Sequence, residues 1–357
     1  MRHVTLVQGA RQLLTLRGPS GPRRGADLQN LGIIQDGAVL IADGLIVEVG
    51  PSRRVENLAL ARGAREIDAS GCVVLPGFVD TNVRVVRGDH PEMSPRALKP
   101  LALRVVDEVV RHGTTALGAK SGELKILRLH AALRELPLTL VPAFAASGLA
   151  LELCERLLPL LGRRKLAESA EIGCDDAATL AQARQLGWGI QVRNAIAAAV
   201  RIGAGCVNDV AEANERDAIL LGRSETIAIL SPAIALKCEA ARYPPARVLI
   251  DNGAAVALAS GSETDSPNMQ IAIGLACRAM NMTAAEAIAA STINGAHAMR
   301  RAGSIGSIEA GKSADLCVLG VPDYRELPYH FGVNLANLVM IRGTVLVERS
   351  EVKWPVR

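Results

Sequence analysis

Residues 96–142 read RALKPLALRVVDEVVRHGTTALGAKSGELKILRLHAALRELPLTLVP. From Arg96 to Arg111 the apolar residues recur at three- and four-residue spacing, which predicts an amphipathic helix, and Thr115–Ala119 then reads as a short buried strand. The same pair follows again, with Leu124–Leu136 at helical spacing and Thr139–Pro142 as a strand. Further on, Ala177–Leu186 and Gly189–Val192 repeat it. Strand and helix alternating over roughly two hundred residues imply a parallel sheet, for which a closed (β/α)8 barrel is the commonest solution.

On either side of this region the pattern changes. Val4–Val7, Gly32–Ile34, Ala38–Ile41, Leu45–Val49 and Cys72–Leu75 read as short strands separated by turn dipeptides such as Asp36-Gly37 and Asp43-Gly44, the pattern of a β-meander. After Met299 strands return at Ala314–Leu319, Leu335–Ile341 and Thr344–Glu348. The expected organisation is α/β: residues 1–75 and 306–357 as two parts of one composite β-sandwich, and 76–305 as a TIM-like barrel, shortened in its loops.

Composition narrows the function classes. Aromatic residues make up 2% of the 357 residues, leaving almost nothing on which single-stranded nucleic acid could stack. The net charge of +4 comes from scattered basic pairs such as Arg23-Arg24 and Arg300-Arg301, so no nucleic-acid or membrane footprint is expected. The longest uncharged apolar stretch, Thr226–Leu236, is far short of a membrane span. MRHVTLVQGARQLL has no apolar core of signal-peptide length before Arg11. Cysteines 72, 154, 174, 206, 238, 277 and 317 form no CxxC pair, which fits reduced thiols and a cytoplasmic location.

Several stretches resemble the amidohydrolase superfamily. AVLIADGLIVEVG (38–50) and AREIDASGCVVLPGFVDTN (64–82) are similar to its entry into the first barrel strand, and SIGSIEAGKSADLCVLG (304–320) to its return into the sandwich. DYRELPYHFGVN (323–334) resembles the C-terminal signature of imidazolonepropionases, which open a cyclic amide in histidine breakdown. HGTTALGAKSG (112–122), ARYPPARVLIDNGAAVALAS (241–260) and AEAIAASTINGAHAM (285–299) agree with the same family.

Such hydrolysis needs a metal that lowers the pKa of bound water, held by imidazoles and a carboxylate. The resemblance implies zinc or iron at the C-terminal ends of the barrel strands, and it also says which positions of this chain should hold it. Where the family has His-x-His this chain reads Asn82-Val83-Arg84. Arg193 stands at the next His, Ile196 at the Glu that moves protons, Asn208-Asp209 at an Asp-His pair, and Gly261 at the final Asp. Ser147 replaces a further His. A guanidinium stays protonated and has no lone pair to give, and an amide is a poor transition-metal ligand. The pocket-lining stretches after Asp89 and after Gly122 are shorter than the family's.

His3, His112, His297 and His330 have no partner ligand at i+2 or i+4 and read as structural or exposed. His90 falls where the family has a substrate-contacting Arg and is a candidate for the pocket. A rebuilt metal site from Cys206, Asp209, Glu263 and Asp265 is disfavoured, because Arg84 and Arg193 would oppose a divalent ion. Lys120 lies in a frame motif and reads equally as structural. The expectation is a paralogue without metal-dependent hydrolysis and without a bound cofactor. It would serve as a binding or structural subunit for a small anionic ligand, or as part of a homo-oligomer or of a hetero-oligomer with an active relative. The alternatives are a metal-free enzyme built on Arg84, Arg193, His90 and Asp209, and retained ring hydrolysis.

Overall fold

The computed structural model describes residues 3–88, 90, 92–146, 151–173, 177–238, 242–261, 267–348 and 351–352, without the side chains of 151–155 and 351–352. Eight strands form the barrel sheet in chain order: β6 (Phe78–Val83), β7 (Thr114–Ser121), β8 (Thr139–Ala145), β9 (Ser169–Ile172), β10 (Gly189–Arg193), β11 (Cys206–Asn208), β12 (Ile227–Leu230) and β13 (Val256–Leu258). All seven neighbouring pairs in this order are parallel. Helices α2 (Pro95–Arg111), α3 (Leu124–Leu133), α4 (Leu151–Arg163), α5 (Ala177–Gln185), α6 (Ile196–Arg201), α7 (Glu215–Gly222), α8 (Pro232–Lys237) and α9 (Ala246–Asp251) fill the crossovers. Then α10 (Met269–Ala279), α11 (Ala284–Ala290) and α12 (Ile293–Ala298) follow β13.

Between β6 and β13 the closure rests on side chains. Asp80 on β6 accepts from the Ser260 backbone N–H at 3.1 Å and from the Ser260 hydroxyl. Burial pushes the Asp80 carboxyl up to about 6, partly countered by those bonds and by the Asn82 N–H.

The helix of the opening stretch forms as its pattern requires. Ser94 caps α2 by accepting from Ala97 N, Pro95 occupies the first turn, and Leu98, Ala102, Val105, Val106, Val109 and Val110 are buried. The chain leaves α2 through Gly113 at φ +92, where a Cβ would sit 2.7 Å from Cys317 Sγ. Only glycine allows that turn against the strand behind it.

The flanking strands are β1 (Val4–Leu14), β2 (Ile33–Ala42), β3 (Leu45–Pro51), β4 (Arg65–Asp68), β5 (Val73–Pro76), β14 (Leu316–Leu319), β15 (Ala336–Ile341), β16 (Thr344–Glu348) and β17 (Glu351–Val352), with the one-turn helix α1 (Ser52–Val55) among them. They make one continuous nine-stranded sheet, in which Val74 on β5 pairs with Val318 on β14 and so joins the two ends of the chain. The meander expected for residues 4–75 holds for β1–β2–β3 only, because β4 and β5 both pair parallel to β1. An 11-residue β1 is long enough to carry both, β4 on Thr5–Gln8 and β5 on Gln12–Leu13. Val7, Leu13, Val39, Ile41, Leu316 and Met340 form the sheet's own core. Among the described residues no helix is long and apolar enough to cross a membrane.

Candidate functional site

At the C-terminal ends of the barrel strands, charged side chains from four strands meet. Lys120 (β7) and Glu171 (β9) are buried, their side chains 6% and 4% exposed, with Nζ 2.6 Å from Oε2. Asn208 (β11) donates its Nδ2 to the same Oε2 at 3.0 Å and to Gln191 Oε1 (β10) at 3.3 Å. Above them Arg193 Nε lies 3.6 Å from Glu171 Oε1 and 2.9 Å from Asp209 Oδ2. Arg193 and Asp209 are 37% and 35% exposed, so solvent begins at this pair. The order along the barrel axis is therefore a buried ammonium–carboxylate pair below and a solvated guanidinium–carboxylate pair above.

Local backbone chemistry explains the position of Asp209. It sits at φ +57, a left-handed conformation that Asp tolerates better than most residues, directly after β11. That turn aims its carboxylate back at Arg193, and the Asn194 N–H donates to the Asn208 carbonyl at 2.9 Å, locking β10 to β11 at this level.

Of the residues singled out in the sequence, Arg193, Asn208 and Asp209 come together. Asn82 is buried at the end of β6, and its Oδ1 has no hydrogen-bond partner. Arg84 is exposed. His90 holds its Nε2 2.8 Å from the Arg87 carbonyl, while its own carbonyl accepts from Lys125 Nζ, which ties the ring to its own loop. Ile196 is buried at the start of α6. Gly261 is buried at φ +98, and a Cβ there would meet Ile234 Cγ1 at 2.5 Å. A side chain at this position would be strained by the positive φ and would have to displace Ile234. Ser147, Glu263 and Asp265 lie outside the described residues.

The hub of the cluster, Glu171, was not picked out by sequence reasoning, nor was Gln191. Lys120 is fully engaged with Glu171 rather than idle in a frame motif. The available signal was an acid in an otherwise small and apolar strand, Ser169–Ile172, two residues from Ser169 and hence on the same inward face.

Among the described residues, the side chains at the mouth do not make a usual transition-metal donor set. The two carboxylates at the mouth already face cationic partners, Arg84 and Arg193 cannot ligate, and Asn82 offers one amide oxygen. Cys206 opens β11 at the far end of that strand from the mouth and donates its Sγ to the Ala298 carbonyl at 3.4 Å. Among the described residues no group of three His, Cys, Asp or Glu side chains converges.

Comparison with known proteins gives the frame its family. The chain is 32% identical to an imidazolonepropionase of Solibacter usitatus, with 95% of this chain and 98% of that one covered. It belongs to the imidazolonepropionase family of amidohydrolases. An imidazolonepropionase of Geobacillus kaustophilus matches at 32% over 97% and 98% of the two chains, and one of Alkaliphilus metalliredigens at 29% over 97% and 99%. The last alignment runs over 416 positions against a chain of 357 residues, so that family member carries stretches this chain lacks. The amidohydrolase family profile matches residues 207–346.

Solved structures share the fold at lower identity. A zinc-bound adenosine deaminase from Xanthomonas campestris superposes with a TM-score of 0.75 at 17% identity, covering 98% of this chain and 94% of that one. Guanine deaminase from E. coli gives 0.78 at 13%, with 97% and 99% covered.

Proposed function

We propose that this imidazolonepropionase-family chain binds a small carboxylate- or phosphate-bearing molecule at its barrel mouth and does not hydrolyse through a metal-activated water. One observation carries the reading: at the family's ligand positions stand Asn82, Arg84, Arg193 and Gly261, and Arg193 forms an ion pair with Asp209. A guanidinium supplies there, as part of the chain, the positive charge that a metal would otherwise bring. Its fork suits bidentate recognition of an incoming carboxylate or phosphate, with Asp209 as the group displaced. The chain would act in this role as a binding or structural paralogue, alone or with a catalytically active relative.

A second reading is retained hydrolysis of a cyclic C–N bond. It is favoured by the end-to-end match to proteins named imidazolonepropionase, and by the Lys120–Glu171 pair beneath the mouth, an acid and a base in contact. Elemental analysis and an assay with imidazolonepropionate on the purified full chain separate the two. The first reading expects no stoichiometric zinc or iron, no ring opening, and a carboxylate-induced thermal shift that Arg193→Ala removes. Stoichiometric metal with turnover would overturn it and establish the second; turnover without metal that Glu171→Gln abolishes would establish a metal-free enzyme.

A further inference from the structure

The other end of the barrel holds a cavity of about 570 Å³, within the usual range for small-molecule sites. Its walls are the starts of strands and the loops before them: Ser169 opens β9, Gly189 opens β10 and Cys206 opens β11. It therefore opens on the N-terminal face, opposite the mouth. In most barrels bulky branched side chains fill this interior. Here the small residues Gly118, Ala143, Ser169 and Cys206 stand among Val141, Ile190 and Ile229, and the cavity reaches up to Thr81 on β6.

The rim is strongly basic. Arg134, Lys165, Arg300 and Arg301 line it together with one carboxylate, Glu168, which pairs with both Arg134 and Arg301. That leaves three positive charges in excess among these five side chains. The guanidinium groups are held in place: Arg134 Nη1 donates to the Lys165 carbonyl at 3.0 Å, and Arg300 Nη1 to the Gly187 carbonyl at 2.9 Å. Fixed donors pay less entropy on binding than free ones. Inside, the Thr81 side chain is buried and its hydroxyl has no hydrogen-bond partner. Gln191 donates to Ser169 Oγ at 3.4 Å and accepts from Asn208, which in turn donates to Glu171. A polar chain thus runs from this cavity to the mouth cluster.

We propose that this cavity is a second binding chamber, entered from the N-terminal face, for a small anion whose carboxylate or phosphate group meets the Arg134/Lys165/Arg300/Arg301 rim while its body lies in the hollow barrel. A cavity of this size admits a metabolite and excludes a nucleic-acid strand. The chamber is separate from the mouth.

Trp188 lines the chamber and Trp354 is the other tryptophan, so a Trp354→Phe background makes the emission report on Trp188 alone. The full chain is titrated with inorganic phosphate and, separately, with glutarate, at constant ionic strength set by chloride. A saturable change is expected with at least one probe, and which probe saturates identifies the head group. Arg300→Gln and Lys165→Asn, both exposed and the latter suited to the φ of +52 at 165, should each weaken binding by about tenfold. Arg193→Ala should leave it unchanged. Loss of the signal in Arg193→Ala with both rim variants titrating like the parent would place the anion at the mouth and overturn the proposal. A change that chloride reproduces, or no saturable change with either probe, would overturn it equally.

Discussion

Glu171 is an acidic side chain deep in a barrel, held by its neighbours. Lys120 neutralises it from 2.6 Å and Asn208 occupies the same oxygen. A buried pair of this kind adds little net stability, but breaking it strands a charge, at about 3–5 kcal/mol. Glu171→Gln should therefore lower the unfolding free energy from denaturant titration by that amount, and Glu171→Gln with Lys120→Met should recover most of it. A cost below about 1 kcal/mol for the single variant would mean that water reaches Lys120. His130 on α3 makes the opposite case, a buried group without a charge partner. Neither ring nitrogen has a hydrogen-bond partner, and burial, with the Arg134 charge added, depresses its pKa to about 3. A folded-state pKa below the unfolded value of about 6.5 means that the unfolded chain binds the extra proton, so stability is lost as pH falls below 6.5 toward 3. His130→Leu should flatten the stability profile between pH 7 and pH 4 and raise stability most at the acid end. Identical acid slopes in the two proteins would refute this. At this scale the sequence was only partly legible. Arg193, Asn208 and Asp209 were found by position, whereas Glu171 belongs to no motif and is recognised only by what surrounds it.

Among the elements, α11 shows local and distant forces agreeing. Thr283 and Glu286 form a capping box: the Thr283 hydroxyl accepts from Glu286 N, and the Glu286 carboxylate accepts from Thr283 N at 2.8 Å. Arg247 from α9 then grips the same carboxylate with both terminal nitrogens, at 3.1 and 3.0 Å. Thr283→Ala should cost about 1 kcal/mol in equilibrium unfolding, the usual worth of a cap, without altering ligand binding. A cost near zero would show that Arg247 alone holds Glu286. The strand–helix alternation was legible because burial on one face writes its period into the sequence. Ends were less so: the second helix of the opening stretch stops at Leu133 rather than Leu136, ahead of Pro137, which restrains the residue before it. The parallel placement of β4 and β5 on β1 was illegible, since strand patterning records which face is buried and says nothing of which neighbour a strand pairs with.

In the whole molecule, sheet and barrel are fastened through Asn294. Its Oδ1 accepts from Arg23 N at 2.7 Å, and its Nδ2 donates to the carbonyls of Arg23 and Val256 at 2.9 and 2.8 Å. Asn294→Ala leaves buried backbone groups unsatisfied at about 1–3 kcal/mol each. Thermal unfolding should show a clearly lowered midpoint, and a variant as stable as the parent would mean that this link is dispensable. The hollow barrel and its basic rim also belong to this scale, for Arg134, Glu168 and Arg301 lie far apart in the chain and meet only when the barrel closes. By itself the sequence determined the alternation of elements and the family frame, because periodicity and motif are properties of neighbouring residues. Only the tertiary structure decided that Arg193 faces Asp209, that Lys120 neutralises Glu171 from 51 residues away, and that the space inside the barrel stays open. Those outcomes depend on which strands lie side by side and which faces turn inward, and no single stretch of the chain contains that information.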